Sequence, residues 1–273
     1  MKPNALQGPV PTARSAAPPA GPASPARPGS QTVGVGVGVG VGAARPVGAV
    51  AVLVLADMQP TSRLWAWGQL VRGARPFRGV PGLNFVKVMG SGAAGGFGMR
   101  PSGTHRGLFL VFDDEDHARG FVEHSPVLAA WRSHARELLV AVLRACSSKG
   151  SWSGAAMQPT AAPPADGPIA ALTRASIRPR QALKFWRLSP PAELALAQAE
   201  GCLLAAGLGE APLLRQCTFS LWTGADAMDR YARSGAHQLA IRTAYGGGHF
   251  SESMFVRFVP LEVRGTWQGR QHG

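Results

Sequence analysis

The sequence has no apolar run long enough to cross a bilayer as a helix. Its longest run, at residues 47–56, falls well short of the roughly 18 residues that such a helix needs. Prolines interrupt the chain as far as Arg45, so no apolar stretch follows Lys2 as it would in a secretory signal peptide. We therefore expect a cytoplasmic protein without a membrane span.

Cysteine is also scarce. The 273 residues include three cysteines, Cys146, Cys202 and Cys217, an odd number without C-x-x-C spacing. This pattern argues against a disulfide framework and against a structural zinc site. The three thiols are predicted to be buried and to pack as small apolar groups.

Acidic residues are absent from the first 46 positions, which carry nine prolines and a Val-Gly alternation. Such a composition cannot bury enough apolar surface to offset the entropy lost on ordering. Residues 1–46 are predicted to be a disordered tail that can be deleted without loss of fold or activity. The whole chain has 28 Lys and Arg against 15 Asp and Glu, a net charge of +13, and the 227 residues after the tail keep +9 (24 against 15).

The most informative feature that is present is an internal repeat. Four segments of the first half recur in the same order in the second half, which predicts a duplicated unit. A change of offset within the repeat indicates a loop nine residues longer in the first copy, within glycine-rich residues 90–107. The matches are residues 64–67 with 183–186 and 88–90 with 207–209 at an offset of 119, residues 109–112 with 219–222 at an offset of 110, and residues 149–154 with 264–269 at an offset of 115.

Each copy is predicted to have the order β-α-β-β-α-β. In the first copy, a helix opens at Pro60, and a second begins at four acidic residues, 113–116, that suit the positive end of its dipole. The strands predicted from apolar runs are residues 50–56, 83–89, 108–112 and 138–143, and their second-copy counterparts are residues 169–175, 202–208, 217–222 and 254–260, with helices at 179–188 and 225–244.

This order predicts an α+β fold made of tandem ferredoxin-like units. The units are expected at residues 47–154 and 169–269, joined by a Pro/Ala linker at residues 155–168. Each unit leaves one sheet face without helices, and two copies can bury those faces against each other as a fused dimeric α+β barrel. The slot between the two sheets is the expected ligand site.

Positive charge on ferredoxin-like units is also typical of RNA-recognition modules, and residues 106–112 resemble the basic strand signature of those modules. The signature needs aromatic residues at its third and fifth positions, where this sequence has Leu108 and Leu110. An aliphatic open face suits a lipid-like ligand, so we expect no nucleic-acid partner.

Seven histidines raise the question of a metal, but no acidic residue stands with them in the arrangement of a non-haem iron motif. His105 falls in the predicted glycine-rich loop, without a preorganised setting. His237 and His249 stand apart because they lie in residues 231–257, between the last predicted helix and the last strand. A lone helical histidine is more often structural, so the residues alone leave their role open.

Several contiguous sequence segments of the second half resemble the spheroidene monooxygenase family, the acyclic-carotenoid 2-ketolases of purple photosynthetic bacteria. They are residues 171–179, 185–186, 207–212 and 231–237, and the resemblance extends over about residues 50–269. It implies an oxygenase that uses haem, O2 and an external electron donor to introduce a keto group at C-2 of spheroidene and related carotenoids. Peripheral contact with the photosynthetic membrane is a further expectation.

By analogy with related haem enzymes of the α+β barrel type, His237 is the first choice for the axial ligand of the haem iron, and His249 is the second. Arg242 and Arg257 are candidates for pairing with the haem propionates, and Glu252 for orienting a ligand or relaying protons. Trp186, Trp222, Leu108 and Leu110 are the candidates for lining the carotenoid slot. A solvated or salt-bridged role is the alternative for each arginine and for Glu252, and core packing is the alternative for the tryptophans.

Two other functions stay open at this point. A cofactor-independent oxygenase of the same barrel fold would let the substrate itself reduce oxygen. A non-catalytic protein that binds RNA or a protein partner would show salt-dependent affinity and no bound cofactor. An absorption spectrum of the purified protein separates these alternatives from a haem enzyme.

Overall fold

The structure is a computed structural model, and it describes residues 44–96, 100–183, 186, 195–196, 198–211, 214–233 and 248–273. Short 3-10 turns lie at Pro60–Ser62, Arg75–Phe77, Ala93–Gly95 and Pro179–Gln181. The α-helices are α1 (Arg63–Arg72), α2 (Glu115–His124), α3 (Pro126–His134) and α4 (Ala225–Arg233). The strands are β1 (Arg45–Pro46), β2 (Val50–Met58), β3 (Leu83–Gly92), β4 (Pro101–Phe112), β5 (Ala135–Gly150), β6 (Ala155–Ala156), β7 (Ile169–Ile177), β8 (Cys202–Ala211), β9 (Arg215–Trp222), β10 (Phe250–Trp267) and β11 (Arg270–His272).

Eight of these strands close into an antiparallel barrel. The first half contributes the order β5-β2-β4-β3 and the second half the order β10-β7-β9-β8. Strand β3 pairs with β8, and the long strands β5 and β10 pair with each other, so that both seams between the halves are hydrogen-bonded. The predicted fold class, tandem ferredoxin-like units forming a fused α+β barrel, is confirmed.

The strand register reproduces the offsets of the repeat. Residues that pair in the first half have counterparts, shifted by 119, 110 and 115 positions, that pair in the second half. Leu53 pairs with Phe109 and Ala141, and its counterpart Leu172 pairs with Phe219 and Val256.

The seams show the same internal symmetry. Gly90 pairs with Gly209 across the first seam, and Arg144 pairs with Val259 across the second. Each of these residues therefore faces its own counterpart, as expected for two copies related by a pseudo-twofold axis.

Two local expectations need correction. The helix predicted to run from the acids at 113–116 through Trp131 is two helices, because Ser125 caps α3, accepting from the backbone N–H of Leu128 at 3.3 Å, and Pro126 follows it. The glycine-rich loop is shorter than predicted, since β3 continues to Gly92 and β4 begins at Pro101.

The helix-free faces of the two halves form the barrel interior, which is filled by buried side chains. Trp152 and Trp267 occupy equivalent positions in it, each on a turn of the same form. The glycine before each turn has a positive φ, 81° at Gly150 and 112° at Gly265. A Cβ there would lie about 2 Å from a backbone oxygen, at 2.1 Å and 2.0 Å respectively, so only glycine fits.

The outer faces carry the helices. In the first half, α1, α2, α3 and the 3-10 turn after α1 cover the outer face of β2, β4 and β5 with residues such as Phe77, Phe121 and Trp131. In the second half, α4 lies over the corresponding face with Ala227 and Met228. No helix in the described ranges is long and apolar enough to cross a membrane.

Candidate functional site

The slot between the sheets is not where a ligand finds room. The interior contains Phe109, Trp152, Phe219, Phe258 and Trp267, all buried. Close packing of this kind leaves no space for a long polyene. The filled interior therefore does not support the expected position of the carotenoid between the sheets.

Leu108 and Leu110 do not face that interior. They lie on the outer face of β4, under the helices of the first half, while Phe109 between them points inward. Successive residues of a strand point to opposite faces of the sheet. The prediction that Leu108 and Leu110 line a slot between the sheets therefore chose the wrong face of β4. Trp222 likewise lies on the outer face, in the second half.

The two outer faces provide the clearest sign of a site. In the first half, two rows of cross-strand neighbours over β5, β2, β4 and β3 are aliphatic throughout, and their central members are fully buried. The rows are Val140–Val54–Leu108–Val88 and Val142–Val52–Leu110–Val86.

The same rows in the second half have a different chemistry. Their central positions carry small residues, three of them with hydroxyl groups, and larger side chains stand at the β10 end. The rows are Phe255–Thr173–Thr218–Gly207 and Arg257–Ala171–Ser220–Ala205. We call these eight residues the second-half face.

The second-half face is also more open than its counterpart. Thr173 is exposed and Thr218 is half-buried, whereas Val54 and Leu108 at the equivalent positions are inaccessible to solvent. A sheet face under a helix layer normally has large apolar residues to fill the gap. This face instead carries small and polar residues at its centre, which supply hydrogen-bonding groups.

Helix α4 lies at one edge of this face. The ring of Tyr231 packs on Trp222 with centroids 5.3 Å apart, and the indole Nε1 of Trp222 donates to Ser220 Oγ at 2.9 Å. Arg257 donates to Asp229 Oδ1 on α4 at 2.7 Å. Arg257 thus forms the salt bridge that was its alternative role, and Trp222 is a wall of the second-half face.

Two of the predicted haem-binding residues, His237 and Arg242, lie outside the described residues. In the sequence, His237 follows the last residue of α4, Arg233, by four positions. Trp186 is described only as a buried residue.

His249 is buried just before β10, and its backbone carbonyl accepts from the backbone N–H of Arg178 at 2.8 Å. Its counterpart at the offset of 115 is His134, whose carbonyl accepts from Gln59 at 2.9 Å. The ring of His134 stacks on Trp65 and bonds to Ser62. The counterparts of Ser62 and Trp65 in the second half are Gln181 and Lys184, so the setting of His134 is not repeated around His249, whose role as second-choice haem ligand stays a prediction.

Glu252 belongs to a half-buried charge network around the buried Arg174, at one end of the barrel. It pairs with Arg174 and caps the turn after β5, accepting from the backbone N–H of Gly154 at 3.0 Å. Burial would raise the pKa of Glu252, but these bonds and the Arg174 charge outweigh it and leave the pKa lowered. A carboxylate held ionised in this way stabilises the turn, and it lies apart from the second-half face, since β10 alternation turns it away from Phe255 and Arg257.

The same network includes Glu210, which accepts from Lys87 Nζ at 2.7 Å and from Trp152 Nε1 at 2.8 Å. Arg174, 2% exposed, is the inward-facing counterpart of Leu55 in the first half. The network is therefore particular to this end of the barrel.

His105 is placed differently from the expectation. It lies on β4 rather than in a loop, is buried, and its Nδ1 is 2.8 Å from Ser102 Oγ and 3.6 Å from Asp57 Oδ1. Burial lowers the pKa of His105 more than Asp57 raises it. A neutral imidazole between strand ends indicates a structural role.

The other potential ligand groups are also accounted for. All three cysteines are free, and burial raises the pKa of each thiol, which opposes a thiolate ligand. Among the residues that the structure describes, no group of three or more histidine, cysteine or acidic residues could hold a metal ion.

The fold defines a class: a fused α+β barrel in which the outer face of the second unit carries the candidate site. The chain is 51% identical over 226 residues to the spheroidene monooxygenase of Rubrivivax gelatinosus, an alignment that covers 83% of this chain and 88% of that one. It is 36% identical over 226 residues to the spheroidene monooxygenase of Rhodobacter capsulatus, with 81% and 94% covered. The chain belongs to the spheroidene monooxygenase family.

A solved structure of aldoxime dehydratase shares the fold, with a TM-score of 0.51 at 12% identity over 84% of this chain and 88% of that one. No family profile matches the chain.

The second-half face was not predicted, although the repeat carried the signal. Applying the offsets residue by residue shows aliphatic residues of the first copy replaced by Thr, Ser, Gly and Ala in the second. A duplicated unit that loses bulk on one face of one copy is the pattern expected of a binding surface.

Proposed function

We propose that this protein is a haem-dependent carotenoid monooxygenase that introduces a keto group at C-2 of spheroidene and related acyclic carotenoids. Membership of the spheroidene monooxygenase family supports the substrate class, and the open second-half face is the structural observation that carries the site. The electron donor is external, and the protein contacts the membrane that holds its substrate.

The residues of the second-half face fit a flat macrocycle. Ala171, Ala205 and Gly207 present little side chain at the centre of the sheet, where the first half has valines. Phe255 and Trp222 stand at the sides as apolar walls. A planar ring lying on this part of the sheet would replace the apolar contacts that bulky residues supply in the first half.

His237 would hold the iron, because it follows the last residue of α4 by four positions in the sequence and a neutral imidazole is a common haem ligand near pH 7. Arg242 is the first choice for a propionate partner, since Arg257 already bonds to Asp229. When bound, haem supplies the oxygen activation that no amino-acid side chain provides.

The chain itself orients groups and excludes water. The hydroxyls of Thr173 and Thr218 are available to donate hydrogen bonds on the sheet side, while Ser220 Oγ accepts from Trp222 and keeps that wall in place. Phe255 offers an apolar edge against which a polyene can pack. A keto group at a methylene carbon needs two successive oxygen insertions, each consuming one O2 and two electrons, and loss of water from the resulting gem-diol.

The test is an absorption spectrum of the purified full chain after haem titration, followed by incubation with spheroidene, O2 and a reductant. We expect one haem per chain and a product in which one oxygen replaces two hydrogens at C-2. Oxidation of spheroidene by protein without haem would favour a cofactor-independent reaction. A haem-loaded protein that leaves spheroidene unchanged would reject the substrate.

A further inference from the structure

Helix α1 packs Ala66 and Trp65 on the core, but it presents three further large apolar side chains to solvent. Leu64 is 89% exposed, Val71 83% and Trp67 46%, whereas Gln69 on the opposite side of the helix is buried. At 100° per residue these three positions lie within about 60° of one another. An ordinary surface helix has the reverse arrangement, with polar residues outward.

Arginines flank this stripe on both sides. Arg63 and Arg72 lie on the same helix, about 100° and 80° from Leu64, and Arg75 and Arg78 follow it, all four exposed. No acidic residue occurs between Asp57 and Asp113. The ion pairs formed by arginines among the described residues use Arg119, Arg136, Arg144, Arg174, Arg233, Arg257 and Arg264, so none involves an arginine of α1 or the turn after it.

The helix is held rigidly in this orientation. Arg106 is buried beneath it and donates to the carbonyl of Ala66 at 3.3 Å, and its guanidinium lies 4.9 Å from the ring centroid of Trp67. Three more bonds from Arg106 to carbonyls of β4 residues fix the guanidinium in place. The outward stripe is therefore part of the folded structure.

We infer that Leu64, Trp67 and Val71, with the flanking arginines, form a surface that binds an anionic phospholipid bilayer. Apolar side chains that project from an interfacial helix enter the boundary between headgroups and acyl chains, and arginines beside them pair with lipid phosphates. Tryptophan favours that boundary because its ring is amphipathic. A patch with four cations and no acid is complementary to an anionic membrane.

Membrane contact is part of the proposed function, but this surface follows from exposure and charge alone. Vesicle binding is measured without haem or carotenoid, so its failure and a failure of the proposed reaction are separate results. The probes are vesicles of phosphatidylcholine and vesicles in which about a third of the lipid is phosphatidylglycerol.

We expect the full chain to sediment with the anionic vesicles and to bind phosphatidylcholine vesicles at least tenfold more weakly. The double variant Leu64→Gln/Val71→Gln should bind at least about thirtyfold more weakly, and Arg72→Gln/Arg75→Gln about tenfold. Brominated lipids should quench tryptophan fluorescence, and Trp67→Leu should remove most of this quenching while preserving binding.

Leu203→Gln is the matched control, because Leu203 is an exposed leucine on β8, outside this surface. It should bind as the unmodified chain does. Circular dichroism should show every variant folded, since the altered side chains are on the surface. Absence of binding to anionic vesicles, or equal binding by Leu64→Gln/Val71→Gln and Leu203→Gln, would overturn the assignment. If the protein is a dimer and only Leu64→Gln/Val71→Gln dissociates it, the face belongs instead to the contact with a second copy of the chain.

Discussion

The second-half face can be filled with the residues that the first half uses. In the variant Ala205→Val/Thr218→Leu, each position receives the residue of its counterpart, Val86 or Leu108. Ala205→Val adds two methyl groups, and Thr218→Leu replaces a hydroxyl group with hydrocarbon. Each buried methyl or methylene group contributes about 0.8 kcal/mol, and both positions are half-buried, so we expect the haem-free protein to gain about 1–2 kcal/mol.

Urea unfolding of the haem-free protein measures this gain, which corresponds to a rise in Tm of roughly 2–8 °C for a domain of this size. Haem binding should weaken at the same time, because the added carbons occupy space where the macrocycle would lie. Overpacking of this kind costs about 1–3 kcal/mol, so we expect haem affinity to fall about 10- to 100-fold in a spectroscopic titration.

The control makes the reverse exchange in the first half. Leu108→Thr buries a hydroxyl at a position that is inaccessible to solvent and should cost about 2–4 kcal/mol of folding free energy. Its haem affinity should be unchanged. Unaltered haem affinity in Ala205→Val/Thr218→Leu, or weakened affinity in the folded Leu108→Thr variant, would refute the assignment of the site to the second-half face.

The remaining predictions concern single residues. His237→Ala should abolish haem retention while the far-UV circular dichroism stays unchanged, whereas His249→Ala should lower Tm and keep the haem spectrum; the opposite pair of results would make His249 the ligand. Arg174→Leu should lose about 3 kcal/mol in urea unfolding because two half-buried carboxylates, Glu210 and Glu252, lose the buried cation that they share, and a neutral result would show that other groups compensate. Burial would raise the pKa of Glu210, but hydrogen bonds from Lys87 and Trp152 outweigh burial and leave this pKa lowered. The ionised Glu210 therefore contributes its full stabilisation above the ordinary pKa of 4.5, and the contribution is lost as the pH falls through the lowered pKa. Unfolding free energy measured against pH should therefore fall less steeply in this acidic range in Glu210→Gln, and an identical slope would contradict this.

The barrel could be predicted because its signal is repeated. Four matched segments identified the duplication, and the apolar runs located the eight barrel strands, since a buried strand is a short run of β-branched and aliphatic residues. The lengths of β5 and β10 could not be predicted in the same way. Each of them pairs with a strand of its own half and with the other long strand, and their ends carry polar residues that the seam, rather than apolar burial, holds in the sheet.

Strand parity was the harder problem. Every residue of β2 is buried, so alternation between apolar and polar positions cannot tell which side faces the interior. The same ambiguity affects β4, where Leu108 and Phe109 are equally buried on opposite faces. For this reason Leu108 and Leu110 were expected to face the interior, whereas they lie on the outer face of the first half.

The divergence between the halves supports a division of labour within one barrel. Both copies must keep large inward residues, because the two inner faces make one core, and Phe109 and Phe219 are both aromatic at the same position. The outer faces are free of that constraint, since among the described residues the helices over each face belong to its own half. The first copy keeps Val54 and Leu108 there and buries them completely, while the second has Thr173 and Thr218, which lose that packing. A loss of stabilising contacts restricted to one face of one copy is expected where binding, rather than folding, selects the residues.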